Sequence, residues 1–122
     1  MPTKSLIAII DDDEPFRTAL VELLSSLGHD VRAFPSAEEF VAANAIGSYG
    51  CVITDIHMPG MSGLDLKRLL TARACGVPVV MITARTEPEL DAKVSSCGGL
   101  CLLRKPFEAK TLIASLESAL RA

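Results

Sequence analysis

The sequence predicts an α/β domain built on a doubly wound sheet of five parallel strands, with five helices divided between its faces. Short runs rich in apolar residues recur five times along the 122 residues, and each is followed by a segment with helical spacing. The wholly apolar runs, the first and the fourth, are typical of strands that are buried on both faces. Because no linker, repeat or low-complexity segment interrupts the alternation, we expect residues 1–122 to form a single domain.

The first two strand–helix units have clear boundary signals. Leu6–Ile10 is a continuous apolar run, and the apolar residues of Pro15–Leu27 recur every three or four positions until a glycine follows. Val31–Phe34 is a shorter strand, and Ser36 with Glu39 forms a capping box that begins a second helix. The apolar stripe predicted for this helix consists of Phe40, Val41 and Ile46.

The other three units repeat the alternation. Cys51–Thr54 and Val77–Ile82 are apolar strands, and a loop rich in Pro and Gly leads from the first of them to a helix over Leu64–Arg73. The helix predicted over Thr86–Ser96 has only two large apolar residues, so we expect it to be the least tightly packed. The fifth strand and the last helix are predicted at Leu100–Leu103 and Glu108–Arg121.

Composition and charge exclude several functional classes. The sequence is 49% hydrophobic but only 4% aromatic, which predicts an aliphatic core. The net charge is −3 and the basic residues do not form a clustered run, so we expect no direct nucleic-acid or membrane-surface partner. The first apolar run is short and meets acidic residues, and no segment approaches the roughly 20 apolar residues of a membrane span, so a cytoplasmic protein is expected. The cysteines are interpreted as reduced core thiols, at Cys51, Cys75, Cys97 and Cys101.

Polar side chains follow four of the predicted strands. Asp11 and Asp12 follow the first, Asp55 the third, Thr83 the fourth and Lys105 the fifth. Taken singly, each has an ordinary explanation, such as helix capping by the acids or solvent exposure of the lysine. However, the carboxyl ends of parallel strands meet at one edge of a sheet, where ligand sites form. We therefore expect these five side chains to converge.

The converging side chains suit the chemistry of a phosphoryl group. Crowded carboxylates favour a bound cation, and an all-oxygen ligand set is typical of Mg²⁺. A lysine and a threonine hydroxyl supply the donors that phosphoryl oxygens accept. No Ser, Cys or His is placed directly at a predicted strand end as a nucleophile, so a carboxylate is the expected nucleophile, and Asp55 is the candidate.

These motifs together resemble the receiver domain of bacterial two-component response regulators. The matching segments are Asp11-Asp12, Asp55-Ile-His-Met-Pro-Gly-Met-Ser-Gly, Thr83-Ala84 and Lys105-Pro106-Phe107. The resemblance covers practically the whole chain, and the loops are most similar to those of nitrogen-fixation regulators. It implies the flavodoxin-like fold of the chemotaxis regulators, with strand order 2-1-3-4-5.

The resemblance also implies a metal and an acceptor. Asp55 would be the phosphoacceptor, Asp12 a direct ligand of Mg²⁺, and Asp11 a ligand through water. The backbone carbonyl of His57 would complete the metal shell, whereas its side chain is not expected to bind the metal. The domain would catalyse only phosphoryl transfer to, and hydrolysis from, its own aspartate, and is therefore not expected to be an enzyme in the usual sense.

Two further residues would respond to the phosphoryl group. Thr83 would bind a phosphoryl oxygen and shift, and Lys105 would pair with the phosphate and precede a cis peptide bond to Pro106. One position departs from the family pattern: Leu102 stands three residues before the lysine, where receivers usually carry Tyr or Phe. The face formed by helix 4, strand 5 and helix 5 is therefore expected to signal in another way, or weakly.

The implied function is a phosphorylation-controlled switch. The donor would be a sensor histidine kinase or a phosphotransfer protein, and the recipient a downstream protein or an output domain missing from this sequence. The chain would be a stand-alone regulator or a receiver excised from a longer protein. One alternative is an adaptor that binds proteins through the face around Leu102 without phosphorylation. A Mg²⁺-dependent phosphatase is disfavoured because 122 residues leave no cap over the site.

Overall fold

The computed structural model describes residues 6–43 and 46–121, in which strands and helices alternate as predicted. The strands are Leu6–Ile10 (β1), Asp30–Phe34 (β2), Cys51–Asp55 (β3), Val79–Thr83 (β4) and Cys101–Arg104 (β5). The helices are Glu14–Ser26 (α1), Ala37–Ala42 (α2), Gly63–Ala72 (α3), Glu89–Ser96 (α4) and Ala109–Arg121 (α5). A 3₁₀ turn, Ile46–Ser48, lies between α2 and β3.

The five strands form one parallel sheet in the order β2-β1-β3-β4-β5, which confirms the predicted architecture. Strand residues alternate between the two faces, so Ile7 and Ile9 join one core while Ala8 and Ile10 join the other. Helices α2, α3 and α4 cover one face, and α1 and α5 cover the other. Every residue of β3 and β4 is buried, including the polar residues that end them, Thr54, Asp55 and Thr83.

Several predicted boundaries differ from the structure. Helix α2 ends at Ala42 rather than extending to Ile46, which begins the 3₁₀ turn and whose side chain lies outside the described part of the chain. Helix α4 begins at Glu89 rather than Thr86, because Pro88 occupies the N-cap position and the residues before it form a loop. Strand β4 begins after Pro78, which has no N–H to contribute to a sheet.

Two burial predictions are also wrong. Leu27, predicted on the apolar stripe of α1, is 47% exposed because it is the C-cap residue at the end of that helix. All four cysteines are free, but only Cys51 lies fully in the core, and the other three are half-buried. Those three lie where elements end or at the sheet edge: Cys75 follows α3, Cys97 caps α4, and Cys101 begins the edge strand β5.

Within residues 6–43 and 46–121, no helix is both long and apolar enough to span a membrane.

Candidate functional site

The acidic residues predicted to converge do so at the carboxyl edge of the sheet. Asp11 follows β1 and Asp55 is the last residue of β3, and these two strands are neighbours. One carboxylate oxygen from each of Asp11, Asp12 and Asp55 lies within 4.8 Å of the other two. Asp11 and Asp55 are buried, at 1% and 8% exposure, whereas Asp12 is exposed at the mouth of the cluster.

Asp11 is fixed by three polar contacts. Its Oδ1 accepts a hydrogen bond of 2.9 Å from the Asp13 N–H, and its Oδ2 lies 3.1 Å from the Lys105 Nζ. Its carbonyl oxygen accepts a bond of 2.7 Å from the Arg17 guanidinium in α1. Helix capping, the ordinary explanation of the acidic run, applies to Asp13, which is the N-cap of α1 and accepts from the Phe16 N–H.

Lys105 stands between the two buried acids. Its Nζ lies 3.1 Å from Asp11 Oδ2 and 4.0 Å from Asp55 Oδ2. The same ammonium lies 4.0 Å from the centroid of the Phe16 ring, which meets the ring of Phe107 edge-on at 5.9 Å between centroids. The peptide bond after Lys105 is cis, as expected. Asp11, Asp55 and Phe16 therefore surround one amine beside the acidic cluster.

The contribution of Phe16 was not predicted, since the sequence places it on the apolar stripe of α1. It packs against the core only in part, and its ring faces the amine of Lys105. Its position offered a signal: Phe16 lies in the first turn of α1, five residues after Asp11, and therefore close to the same edge of the sheet.

The ionisation of Asp55 reflects its surroundings. Burial, and after it the neighbouring Asp11, raise the pKa of the Asp55 carboxyl to about 6. The Lys105 ammonium and a hydrogen bond from the His57 backbone N–H oppose that rise. Three carboxylates against one lysine leave the cluster with surplus negative charge, which a divalent cation would neutralise. The all-oxygen donor set fits Mg²⁺.

Thr83 and His57 form a second part of the site. Thr83 is fully buried at the end of β4, and its Oγ1 lies 3.2 Å from His57 Nδ1 and 3.0 Å from the Arg85 backbone nitrogen. The other ring nitrogen of His57 lies 3.8 Å from a carboxylate oxygen of Glu87. Burial lowers the pKa of His57, which favours the neutral ring. The His57 ring thus contacts Thr83 rather than the acidic cluster.

The loop after β3 is constrained in two places, at Gly63, where α3 begins, and at Met61. A Cβ atom built on Gly63 would lie 2.5 Å from the carbonyl oxygen of Asp55, so only glycine allows the start of α3 to approach the acidic residue this closely. The Met61 N–H donates a 2.7 Å hydrogen bond to the Glu38 carboxylate in α2. Sequence reasoning missed Glu38, because nothing in the sequence distinguishes it from Glu39, the other exposed acid of its helix.

The loop before α4 is tied to β5 by Arg104. Its guanidinium donates to the carbonyl oxygen of Glu87 at 3.2 Å and to the Asp91 carboxylate at 3.1 Å. Leu102 is half-buried against the core cluster that also includes Leu90 of α4. The ion pair of Arg104 with Asp91 therefore joins β5 directly to α4.

Comparisons with known proteins agree with this geometry. Residues 7–117 match the response regulator receiver domain family. The chain is 37% identical over 121 residues to the transcriptional regulatory protein FixJ of Bradyrhizobium diazoefficiens, covering 99% of this chain and 59% of that protein. It is 32% identical over 116 residues to the transcriptional regulatory protein TdiR of Thauera aromatica, covering 95% of this chain and 51% of that protein. It therefore spans only about half to three-fifths of these relatives.

Solved structures show the same fold. The crystal structure of FixJ-N superposes with a TM-score of 0.89 at 31% identity, covering 99% of this chain and 96% of that one. The chemotaxis protein CheY4 of Vibrio cholerae has a TM-score of 0.88 at 24% identity, covering 97% of this chain and all of that one, a likeness of fold alone. The chain belongs to the response regulator receiver domains of two-component systems, a family whose members are phosphorylated on an aspartate.

Proposed function

We propose that this chain accepts a phosphoryl group on Asp55 from a phosphohistidine and thereby changes which protein it binds. The observation that carries the proposal is the meeting of three carboxylates, within 4.8 Å of one another, with a single amine at the carboxyl edge of the sheet. Asp55 is the acid that ends a buried central strand, and its raised pKa marks a carboxylate that lacks full solvation.

The acidic cluster supplies the metal site. Receiver domains in general bind Mg²⁺ in such an acidic pocket. Here the ligands would be Asp55, Asp12, Asp11 through water, and the backbone carbonyl of His57. Bound Mg²⁺ would supply positive charge that lets an anionic phosphoryl group approach an anionic carboxylate.

The chemical step requires little more than positioning. An oxygen of the Asp55 carboxylate attacks phosphorus, the bond from phosphorus to the donor's imidazole nitrogen breaks, and that nitrogen retains the electron pair. Lys105 is close enough to donate to a phosphoryl oxygen on Asp55 after a small movement from Asp11. Thr83, at the end of the adjacent strand, offers its hydroxyl to another phosphoryl oxygen. Hydrolysis of the acyl phosphate by water would return the domain to its starting state.

The partners follow from this chemistry. The donor is a sensor histidine kinase or a phosphotransfer protein, and the recipient of the signal is a downstream protein or an output domain outside this sequence. These residues are expected to bind neither nucleic acid nor a membrane. The proposed location is the cytoplasm, where the chain would meet its phosphoryl donor.

A second candidate is an adaptor that binds its partner without phosphorylation. The observation that favours it is Leu102, which packs against the core instead of providing the aromatic side chain that usually couples to the threonine. Equal affinity for the partner with and without a phosphodonor would favour the adaptor, whereas a change in affinity would favour the switch.

The direct test is intact-mass measurement after incubation with Mg²⁺ and a small acyl phosphate. The wild-type chain should gain the mass of one phosphoryl group, and hydroxylamine should remove it, as expected for an acyl phosphate. Asp55→Asn should gain none. Asp13→Asn is the matched control, because this neighbouring acid caps α1 and lies outside the cluster. Undiminished labelling of Asp55→Asn would identify a different acceptor and contradict the proposal.

A further inference from the structure

The buried hydroxyl of Thr83 has a defined hydrogen-bond arrangement. Its oxygen accepts from the Arg85 backbone N–H at 3.0 Å, and it lies 3.2 Å from His57 Nδ1. A hydroxyl has one hydrogen, and the N–H of Arg85 can only donate. The Glu87 carboxylate beside Nε2 favours a ring proton on that nitrogen, so Nδ1 is unprotonated and accepts the single hydrogen of the Thr83 hydroxyl. In this tautomer the other ring nitrogen carries the proton and faces the Glu87 carboxylate at 3.8 Å.

His57 also touches the acidic residue. Its backbone N–H donates to the Asp55 carboxylate, two residues earlier in the chain. The ring is only 28% exposed, and Glu87 lies on its far side, so its orientation is restricted. One residue thus contacts Asp55 through its backbone and Thr83 through its side chain.

We propose that His57 is a positioning residue that retains the Thr83 hydroxyl in the unphosphorylated chain by accepting its only hydrogen. The inference rests on the proposed function, in which that hydroxyl binds a phosphoryl oxygen on Asp55. A phosphoryl oxygen is an acceptor, as is His57 Nδ1, and Thr83 can donate to only one of them. Each phosphorylation event must therefore break the bond to His57, which biases the domain toward its resting state.

Two amide substitutions separate the contacts of the ring. In His57→Asn, the side-chain oxygen lies near the former position of Nδ1 and can still accept from Thr83. In His57→Gln, the longer side chain reaches instead toward the former position of Nε2 and Glu87. The third variant, His57→Ala, removes both contacts. The proposal therefore expects His57→Asn to behave as the wild type, and His57→Gln to behave as His57→Ala.

The first measurement is the apparent affinity of each chain for beryllofluoride in the presence of Mg²⁺. Beryllofluoride mimics a phosphoryl group on a carboxylate, and its fluorines accept hydrogen bonds. His57→Ala and His57→Gln should bind about fivefold more tightly than the wild type, the change expected from removing one competing hydrogen bond. Equal or weaker binding by both variants would overturn the proposal, as would tighter binding by His57→Asn.

The second measurement needs neither metal nor phosphoryl mimic. In the resting wild-type chain, the imidazole ¹⁵N shifts of His57 should identify an unprotonated Nδ1 that accepts a hydrogen bond. Thr83→Val should move the Nδ1 resonance, and Thr83→Ser should restore it, whereas loss of packing alone would not produce this pattern. An unchanged Nδ1 resonance in Thr83→Val would show that the Thr83 hydroxyl does not donate to His57. That result would contradict the inference about His57 even if Asp55 proved to be phosphorylated. Failure of the wild type to bind beryllofluoride would instead contradict the proposed function, while the resonances still report on His57.

Discussion

Lys105 is paired more closely with Asp11 than with Asp55, its Nζ lying 3.1 Å from Asp11 Oδ2 and 4.0 Å from Asp55 Oδ2. The two partners are 94 residues apart in sequence, and the Asp11 side chain is only 2% exposed. This amine therefore compensates the charge of the buried Asp11 carboxylate, and it also lies near the Asp55 carboxylate.

Replacement of Lys105 by Met should lower the free energy of unfolding by about 1–3 kcal/mol at neutral pH in the presence of a chelator, because Asp11 is left buried without its cation. The measurement is urea unfolding. A double-mutant cycle with Asp11→Asn should yield a coupling of about 0.5–3 kcal/mol. Lys110→Met is the control, since both Lys110 and its partner Glu108 are highly exposed, and it should change stability by less than about 0.5 kcal/mol. Additive effects in the cycle would contradict the pairing.

The set of site residues could be predicted because strand ends are determined by topology. Once the apolar runs are assigned to parallel strands, Asp11, Asp55, Thr83 and Lys105 must arrive at one edge of the sheet. The choice of Asp11 as the nearer partner of Lys105 could not be predicted, because it depends on differences of about an ångström between two acids at the same edge.

Contacts between a helix and a loop distant in sequence could not be predicted either. Lys67 is charged, yet it is only 8% exposed, since its stem lies over Gly98, a residue with no side chain to exclude it. Glu38 in α2 binds the Met61 N–H across 23 residues of sequence. Spacing within one element indicates which face is buried, but it does not reveal which side chain of another element fills the remaining space.

Mg²⁺ should stabilise the wild-type chain against thermal unfolding, because a cation that binds only the folded state adds RT ln(1 + [Mg²⁺]/Kd) to the free energy of unfolding. Asp12→Asn should lower the apparent affinity for Mg²⁺ by at least about tenfold, since it removes one of three clustered carboxylates. Asp13→Asn, one residue away, should retain it, because asparagine also caps helices well. Equal stabilisation of both variants by Mg²⁺ would rule out the acidic cluster as the binding site.

The stability of the metal-free chain should depend on the ionisation of Asp55. Its pKa is about 6 in the folded chain and 3.8 when unperturbed, so between these values the folded state binds more protons than the unfolded state. The contribution of Asp55 to stability therefore falls as pH rises through this window and stays low above it. Asp55→Asn should be more stable than the wild type by about 1–3 kcal/mol at pH 7, and the difference should vanish near pH 4.

This pH dependence is measured by urea unfolding with chelator present. Asp65→Asn provides a control of opposite sign, because hydrogen bonds from Ser62 lower the pKa of Asp65 in its capping box. Its substitution should reduce stability at neutral pH and lose that effect in acid. A pH-independent difference between Asp55→Asn and the wild type would show that Asp55 ionises normally.

Gly63→Ala should disturb the acidic loop from outside the cluster. The added methyl group would lie 2.5 Å from the Asp55 carbonyl oxygen and 3.1 Å from the Ile56 Cα, both of them backbone atoms that cannot rotate away. Relieving this overlap requires α3 to move from the end of β3, which should cost about 1–3 kcal/mol in unfolding free energy. Because Asp55 shares the displaced segment, the apparent affinity for Mg²⁺ should fall as well.

Gly76→Ala is the matched control for this substitution. A Cβ at Gly76 meets no atom within 4 Å, and its backbone does not adopt the left-handed conformation that favours glycine. Alanine there should leave Mg²⁺ affinity unchanged and should stabilise the chain slightly, since it restricts the unfolded state. Urea unfolding measures the stability of the two variants, and Mg²⁺ titration measures their metal affinity. A loss seen only in Gly63→Ala would come from the close approach at the start of α3, because both variants lose a glycine. If Gly63→Ala matched Gly76→Ala in both measurements, the start of α3 would not constrain the position of Asp55.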